Sequence, residues 1–261
     1  MQDIITRKLK EIEAEHDVRI LWAIESGSRS WGFESPDSDY DVRFIYVNKP
    51  EWYLSIQEKR DVIELPVNEV LDISGWDLRK TLRLFKKSNP VLIEWLVSPF
   101  IYLQHGCFKE RLLESAGDSF SRKACAYHYL RMAENNYRRY VQPRDPVNLK
   151  KYFYVLRPLL NIFWLKENNS IPPMRFMETL EQVSIPDSVR DAITDLLEQK
   201  KKTSEIGSGA HIPVLDAYIE DGLLVANNFC DSASVGHINV DQIDHIFRET
   251  LIEVMGNWVT A

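Results

Sequence analysis

Only three cysteines occur in the 261 residues, Cys107, Cys125 and Cys230, and they lie far apart. An odd, scattered set argues against a disulfide framework or a cysteine-rich zinc site, so these thiols read as reduced and mostly buried. The six histidines show no zinc-ligand spacing with nearby cysteines or acids. Glycine and proline are few, at 10 and 12, and no repeat or low-complexity tract is present. With 44% hydrophobic residues and 7 Trp, the chain has enough apolar surface for one large core or two small ones, which argues against disorder. No apolar run approaches the roughly 20 residues that span a bilayer, and residues 1–7 lack the basic-then-apolar pattern of an export signal. The expectation is a soluble, cytoplasmic protein with no membrane partner. Acids outnumber bases, giving a formal net charge of −7. That excess argues against a protein that coats nucleic acid non-specifically and leaves room for a local basic face.

Ile4, Ile5, Leu9 and Ile12 fall at helical spacing and predict an amphipathic helix over 3–17. Arg19–Ile24 reads as a buried strand that ends in the turn signal Glu25-Ser26-Gly27-Ser28. After a polar loop, Asp39–Val47 has strand composition, and Val62–Glu64 and Glu69–Ile73 predict further strands. Ser74 is expected to cap a helix with Asp77 as its third residue, and Asn89-Pro90 to start another through Leu96. Helical periodicity then marks 119–140, 147–166, 187–202, 213–228 and 240–254, with Pro158 expected to kink or end the second near Arg157. Residues 200–209, rich in Lys, Gly and Ser, are the best linker candidate. The fold class is α+β: a small mixed sheet with flanking helices over 1–110, then a helical domain over 111–261 expected to close a substrate cleft.

The segment that carries chemistry runs from Gly27 to Asp41. Asp39 and Asp41 are two apart on an expected strand, so their carboxylates project from one face and suit a pair of hard divalent cations. Gly27 and Ser28 lie between a strand and an expected short helix, where main-chain N–H groups can receive a phosphate. Arg29 stands beside that turn, and Gly32 allows a tight turn or close backbone approach. Five fixed positions, Gly27, Ser28, Gly32, Asp39 and Asp41, would coincide by chance with probability on the order of 10⁻⁴, which favours a functional motif over a surface turn. No Gly-x-Ser-x-Gly elbow surrounds Ser28, and no Gly-Lys-Ser/Thr ending follows the turn, so neither a serine hydrolase nor a P-loop enzyme fits.

Gly27-Ser28, Gly32 and Ser38-Asp39-x-Asp41 resemble the signature of the DNA polymerase β-like nucleotidyltransferase superfamily. The resemblance extends through Asp72–Lys80, Asn89-Pro90, Glu94–Leu96, Ser98-Pro99 and Lys150–Leu160 to the predicted nucleotidyltransferases called the YcgL or RlaP family, whose name refers to an RNA repair pathway. It implies transfer of a nucleotide from a nucleoside triphosphate to a hydroxyl acceptor with loss of pyrophosphate. It also implies two Mg²⁺ ions, with Mn²⁺ as a substitute, on Asp39, Asp41 and a third carboxylate. Asp72 is the first choice for that third acid and Glu64 the competitor. Lys150, Tyr154 and Arg157 recur at i, i+4 and i+7 on one helix face, suited to clamping a triphosphate or stacking a base, or simply to facing solvent. Arg79, Lys80, Arg83, Lys86 and Lys87 form a basic helix that either tracks a nucleic-acid backbone or is solvated. The family points to an RNA end as acceptor. A small molecule or protein acceptor, and a non-catalytic nucleotide or RNA sensor, remain the alternatives.

Overall fold

A helix forms at Gln2–His16 (α1) because Ile5, Leu9 and Ile12 share one face, and that face is fully buried against the first sheet. The computed structural model describes every residue except 37, 68–69, 118–119, 203–206 and 259–261, with backbone alone for Lys201, Lys202, Met255, Asn257 and Trp258. Its contacts divide the chain into two units: residues 1–27, 39–120 and 237–261, and residues 28–38 and 121–236. Four predicted features fall partly outside the described residues: Asp37 in the polar loop, Glu69 at the expected start of a strand, 203–206 in the linker candidate, and Ser119 at the expected start of a helix.

The first unit holds a five-stranded mixed sheet. Strands Arg19–Glu25 (β1), Tyr40–Val47 (β2), Val62–Glu64 (β3), Leu71–Asp77 (β4) and Ile101–Gln104 (β5) lie in the order β3-β4-β2-β1-β5. Only β2 and β4 run parallel; β1 pairs antiparallel with β2 and β5, and β3 antiparallel with β4. Ile20, Ala23, Val42, Phe44, Tyr46 and Ile73 form a core with the apolar face of α1. Gly75 is part of this packing, because a Cβ there would stand 2.2 Å from the Phe44 ring. On Trp22, the indole N–H donates to the Trp95 carbonyl at 3.0 Å, and Trp95 stacks on Trp76 at 3.9 Å between centroids.

Helices Pro50–Tyr53 (α3), Leu78–Lys86 (α4), Pro90–Leu96 (α5), Phe108–Ala116 (α6) and Val240–Trp258 (α12) complete this unit, α12 packing on α4 and α6. The helix expected to be capped by Ser74 starts later. β4 keeps its parallel ladder with β2 as far as Asp77, opposite Tyr46, and Asp77 is the cap, its carboxylate accepting the Arg79 N–H at 2.7 Å. The same buried carboxylate accepts from Tyr53 Oη at 2.7 Å and from Asn48 Nδ2 at 2.8 Å. Burial pushes the Asp77 carboxyl upward from its ordinary value, while these three donors pull the other way.

In the second unit, Arg122–Asn136 (α7), Lys150–Asn168 (α8) and Pro213–Ser232 (α11) pack on one another, joined by Phe176–Gln182 (α9) and Asp187–Lys202 (α10). α7 continues as a π-helical turn over Tyr137–Val141, and Val147–Asn148 (β6) pairs with Ser208–Gly209 (β7). Ser121 caps α7, accepting the Ala124 N–H. Pro158 does not end α8. The helix runs ten residues beyond it, and the Tyr154 carbonyl, which loses its usual i+4 partner to the proline, accepts Asn136 Nδ2 at 3.2 Å. The expected linker begins inside structure: Lys200 is a buried residue of α10 whose ammonium donates to the Phe33 carbonyl, and Ser208–Gly209 belong to β7. No helix among the described residues is long and apolar enough to cross a membrane.

Candidate functional site

Parallel pairing of β2 with β4 places Asp41 directly opposite Asp72, on strands about 4.8 Å apart. Period-2 alternation puts Arg43 on the same face as Asp41. One guanidinium nitrogen of Arg43 donates to Asp41 Oδ1 at 3.2 Å and to Asp72 Oδ2 at 2.7 Å. The other donates to the Val42 and Asp72 carbonyls at 3.0 and 3.1 Å, anchoring the cation to the backbone. The carboxylates are partly exposed, at 28% and 31% of the side chain. Arg43 thus offsets the repulsion between two acids that the register forces together.

The main chain fixes Asp41 from both sides. Its N–H donates to Glu25 Oε1 at 2.8 Å, and its carbonyl accepts the Ser26 N–H at 2.8 Å. Glu25 is 2% exposed and also accepts the Tyr102 hydroxyl, so a buried carboxylate at the end of β1 locks the start of β2. Sequence pattern gave no reason to single out Glu25, which reads there as the last residue before a turn.

The motif glycine has a steric explanation. Gly27 adopts φ +61, and a Cβ built on it would lie 1.9 Å from Asp41 Oδ2. Gly27→Ala combines a left-handed backbone penalty of about 1–2 kcal/mol with displacement of the Asp41 carboxylate. The expected outcome is a fall in melting temperature of the first unit together with loss of whatever activity depends on Asp41, measured on the same preparation. An alanine variant with unchanged activity would show that Asp41 tolerates displacement.

Asp39 precedes β2 by one residue and is exposed. No group of three or more His, Cys, Asp or Glu side chains able to hold an ion occurs among the described residues. The structure assembles the pair Asp41 and Asp72. Glu64 lies on the edge strand β3, opposite Ser74, and pairs with Arg60 at 2.6 Å, one strand further from Asp41 than Asp72 is. Magnesium suits one or two carboxylates, with water and substrate phosphates completing its octahedron, and the pair fits that donor set.

Gly27–Trp31 forms the short helix α2, opening at the expected turn. Within the second unit, Arg29 donates to the Ser38 carbonyl at 2.6 Å, and the Ser38 hydroxyl accepts the Ser35 N–H at 2.9 Å, closing the segment that precedes Asp39. Ser28 accepts the Phe33 N–H through its carbonyl at 3.1 Å. On α8, Lys150, Tyr154 and Arg157 recur on one side of the helix but differ in environment. Lys150 is exposed, Tyr154 half-buried and Arg157 only 4% exposed. The Arg157 guanidinium stacks 4.4 Å from the Trp31 ring centroid and reaches Met174 Sδ at 3.8 Å. Lys151 lies 4.8 Å from the Tyr154 ring and 4.5 Å from that of Tyr140, while Tyr154 meets Trp31 edge-on at 6.1 Å.

Comparison with known proteins gives the chain its relatives. Residues 1–249 match the family described as "RlaP: RNA repair pathway DNA polymerase beta family". A curated relative, "Uncharacterized protein YcgL" of Bacillus subtilis (strain 168), is 48% identical over 220 residues, covering 84% of each chain. Among solved structures, a nucleotidyltransferase-like protein from Exiguobacterium sibiricum 255-15 aligns at 12% identity and a TM-score of 0.31, covering 87% of this chain and 75% of that one.

Proposed function

The chain belongs to the RlaP family, the RNA repair pathway branch of the DNA polymerase β family, and from that membership we propose that it is a nucleotidyltransferase acting through Asp41 and Asp72. The observation that carries this reading is the placement of those two carboxylates side by side on parallel strands, within reach of one guanidinium. In the proposal they hold Mg²⁺, or Mn²⁺ in its place, and Asp39 joins them when nucleotide is bound. The bound ions would supply charge neutralisation at the triphosphate and a lowered pKa for the attacking hydroxyl.

Gly27 and Ser28 donate main-chain N–H groups to phosphate oxygens in this reading, and Arg29 adds its charge to them. Arg157, buried against Trp31, serves by holding that ring in place. The attacking hydroxyl loses its proton, forms a bond to the α-phosphorus in line with the leaving group, and pyrophosphate departs. The family description points to an RNA end as the acceptor.

The direct test is pyrophosphate release from each nucleoside triphosphate in turn, with RNA ends present, in Mg²⁺ and in EDTA. The proposal expects release that needs both the divalent ion and RNA. Triphosphate binding without release, in the presence of RNA with 3′-hydroxyl and with 5′-hydroxyl ends, would contradict it.

A further inference from the structure

α4 carries Arg79, Lys80, Arg83 and Lys86, with Lys87 as its C-cap, on a chain whose net charge is −7. Two of these cations are engaged. Arg79 donates to the Tyr53 carbonyl at 2.8 Å and lies 4.9 Å from the Tyr53 ring centroid, and Lys80 pairs with Asp61 at 3.0 Å. Arg83, Lys86 and Lys87 are exposed and have no partner among the described residues. Arg79, Arg83 and Lys86 recur at i, i+4 and i+7, a single stripe about 10 Å long.

A groove lies on each side of that stripe, and the two share Arg79 and Arg83. One, of about 310 Å³, runs towards Trp52 and Lys59; the other, of about 300 Å³, lies between α4 and α12. The second groove has an apolar floor of Leu82, Val240, Ile243 and Phe247 beneath the three cations, with Asp244 its one acid among the described residues. Phe247 is half-buried, held edge-on by Tyr53 at 5.1 Å. Cations above an apolar, aromatic floor match a chain that alternates phosphates with flat bases. An acidic peptide offers charge without stacking surface, and a duplex keeps its base faces covered.

We infer that this face of α4, with the groove against α12, binds the phosphodiester backbone of a single-stranded nucleic acid, with Arg83 and Lys86 on phosphates and Phe247 beneath a base. The face is separate from the acid pair. Asp72 and Asp77 stand five residues apart on β4, roughly 16 Å, and α4 begins after Asp77. The inference goes beyond the proposed reaction and does not require it.

The test is binding of a fluorescent single-stranded RNA 12-mer to the full chain, in EDTA and without nucleotide, so that its failure leaves the transferase reading untouched. Arg83→Ala/Lys86→Ala, at exposed helical positions that accept alanine, is expected to weaken binding about 10- to 30-fold near 0.1 M salt. The slope of log K against log salt should fall by about 1.4, from two lost phosphate contacts. Phe247→Leu is expected to weaken binding about fivefold or more with the slope unchanged. An unchanged slope in the double variant would overturn the inference, as would displacement of the RNA by polyglutamate at equal charge concentration. Lower thermal stability in the double variant with undiminished RNA binding would also overturn it, reducing Arg83 and Lys86 to partners of the helix C-terminal dipole.

Discussion

Asp41→Asn is expected to lower Mg²⁺-dependent nucleotidyl transfer by on the order of 10³-fold or more while leaving the fold intact. The contacts that hold this residue in place are made by its main chain, to Glu25 and Ser26, and survive the substitution. Asparagine also keeps an oxygen that can accept from Arg43. What disappears is one of two anionic charges on the proposed ion ligands, and with it the charge neutralisation asked of them. Asp72→Asn should give a comparable loss, since the same guanidinium nitrogen holds both carboxylates. Glu64→Gln, on the edge strand and paired with Arg60, should change the rate by less than about twofold. Steady-state rates for the three variants, with melting temperatures recorded alongside, separate Asp72 from Glu64. A large loss at Glu64 with none at Asp72 would reverse the assignment.

The largest expected effect on stability belongs to Asp77→Ala. Its carboxylate is fully buried, accepts from Tyr53, Asn48 and the Arg79 N–H, and caps α4. Alanine removes the cap and leaves Tyr53 and Asn48 with buried donors and no acceptor, a cost of about 3 kcal/mol. For a unit of this size that is a fall of about 6–12 °C in its unfolding temperature by calorimetry. Asp77→Asn keeps the volume and a capping oxygen and should cost less. It also isolates the charge. Burial raises the Asp77 carboxyl above its unfolded value, so the folded state holds the proton to higher pH than the unfolded chain does. The resulting contribution is complete below about pH 3.9 and is lost as pH rises through the folded value. The wild-type unfolding temperature should therefore decline relative to that of Asp77→Asn as pH rises from about 4. A difference independent of pH would mean that the carboxyl titrates normally when folded.

Much of the first unit was legible because its signals are local. Apolar spacing in α1 and the strand composition of β1 and β2 place these elements within a residue or two of where they lie. Ser74 misled because its spacing to Asp77 imitates a cap, whereas the ladder between β2 and β4 carries strand through Gly75 to Asp77. Only a neighbour on another strand, Phe44, explains why position 75 is glycine. Pro158 could not be read as compatible with a continuing helix for a similar reason: the group that satisfies the freed Tyr154 carbonyl is Asn136, on a different helix. At the acid centre, the Gly27 and Asp41 motif was readable, but its reason was not, since the contact between them depends on a main-chain φ of +61. Glu25 and Arg43 went unnoticed because a strand-end glutamate and a strand arginine carry no pattern until pairing brings them beside Asp41. Helical spacing gives Arg157 and Lys150 a common side of α8 but not their burial, which is complete for one and slight for the other.

The most direct test of the central claim follows the label of α-³²P-labelled nucleoside triphosphates, one at a time, into cellular RNA and protein in Mg²⁺, with Asp41→Asn as the control. The account predicts label covalently attached to RNA ends, dependent on Mg²⁺ and absent with the variant. Label in RNA that persists with Asp41→Asn, or label confined to protein, would contradict it.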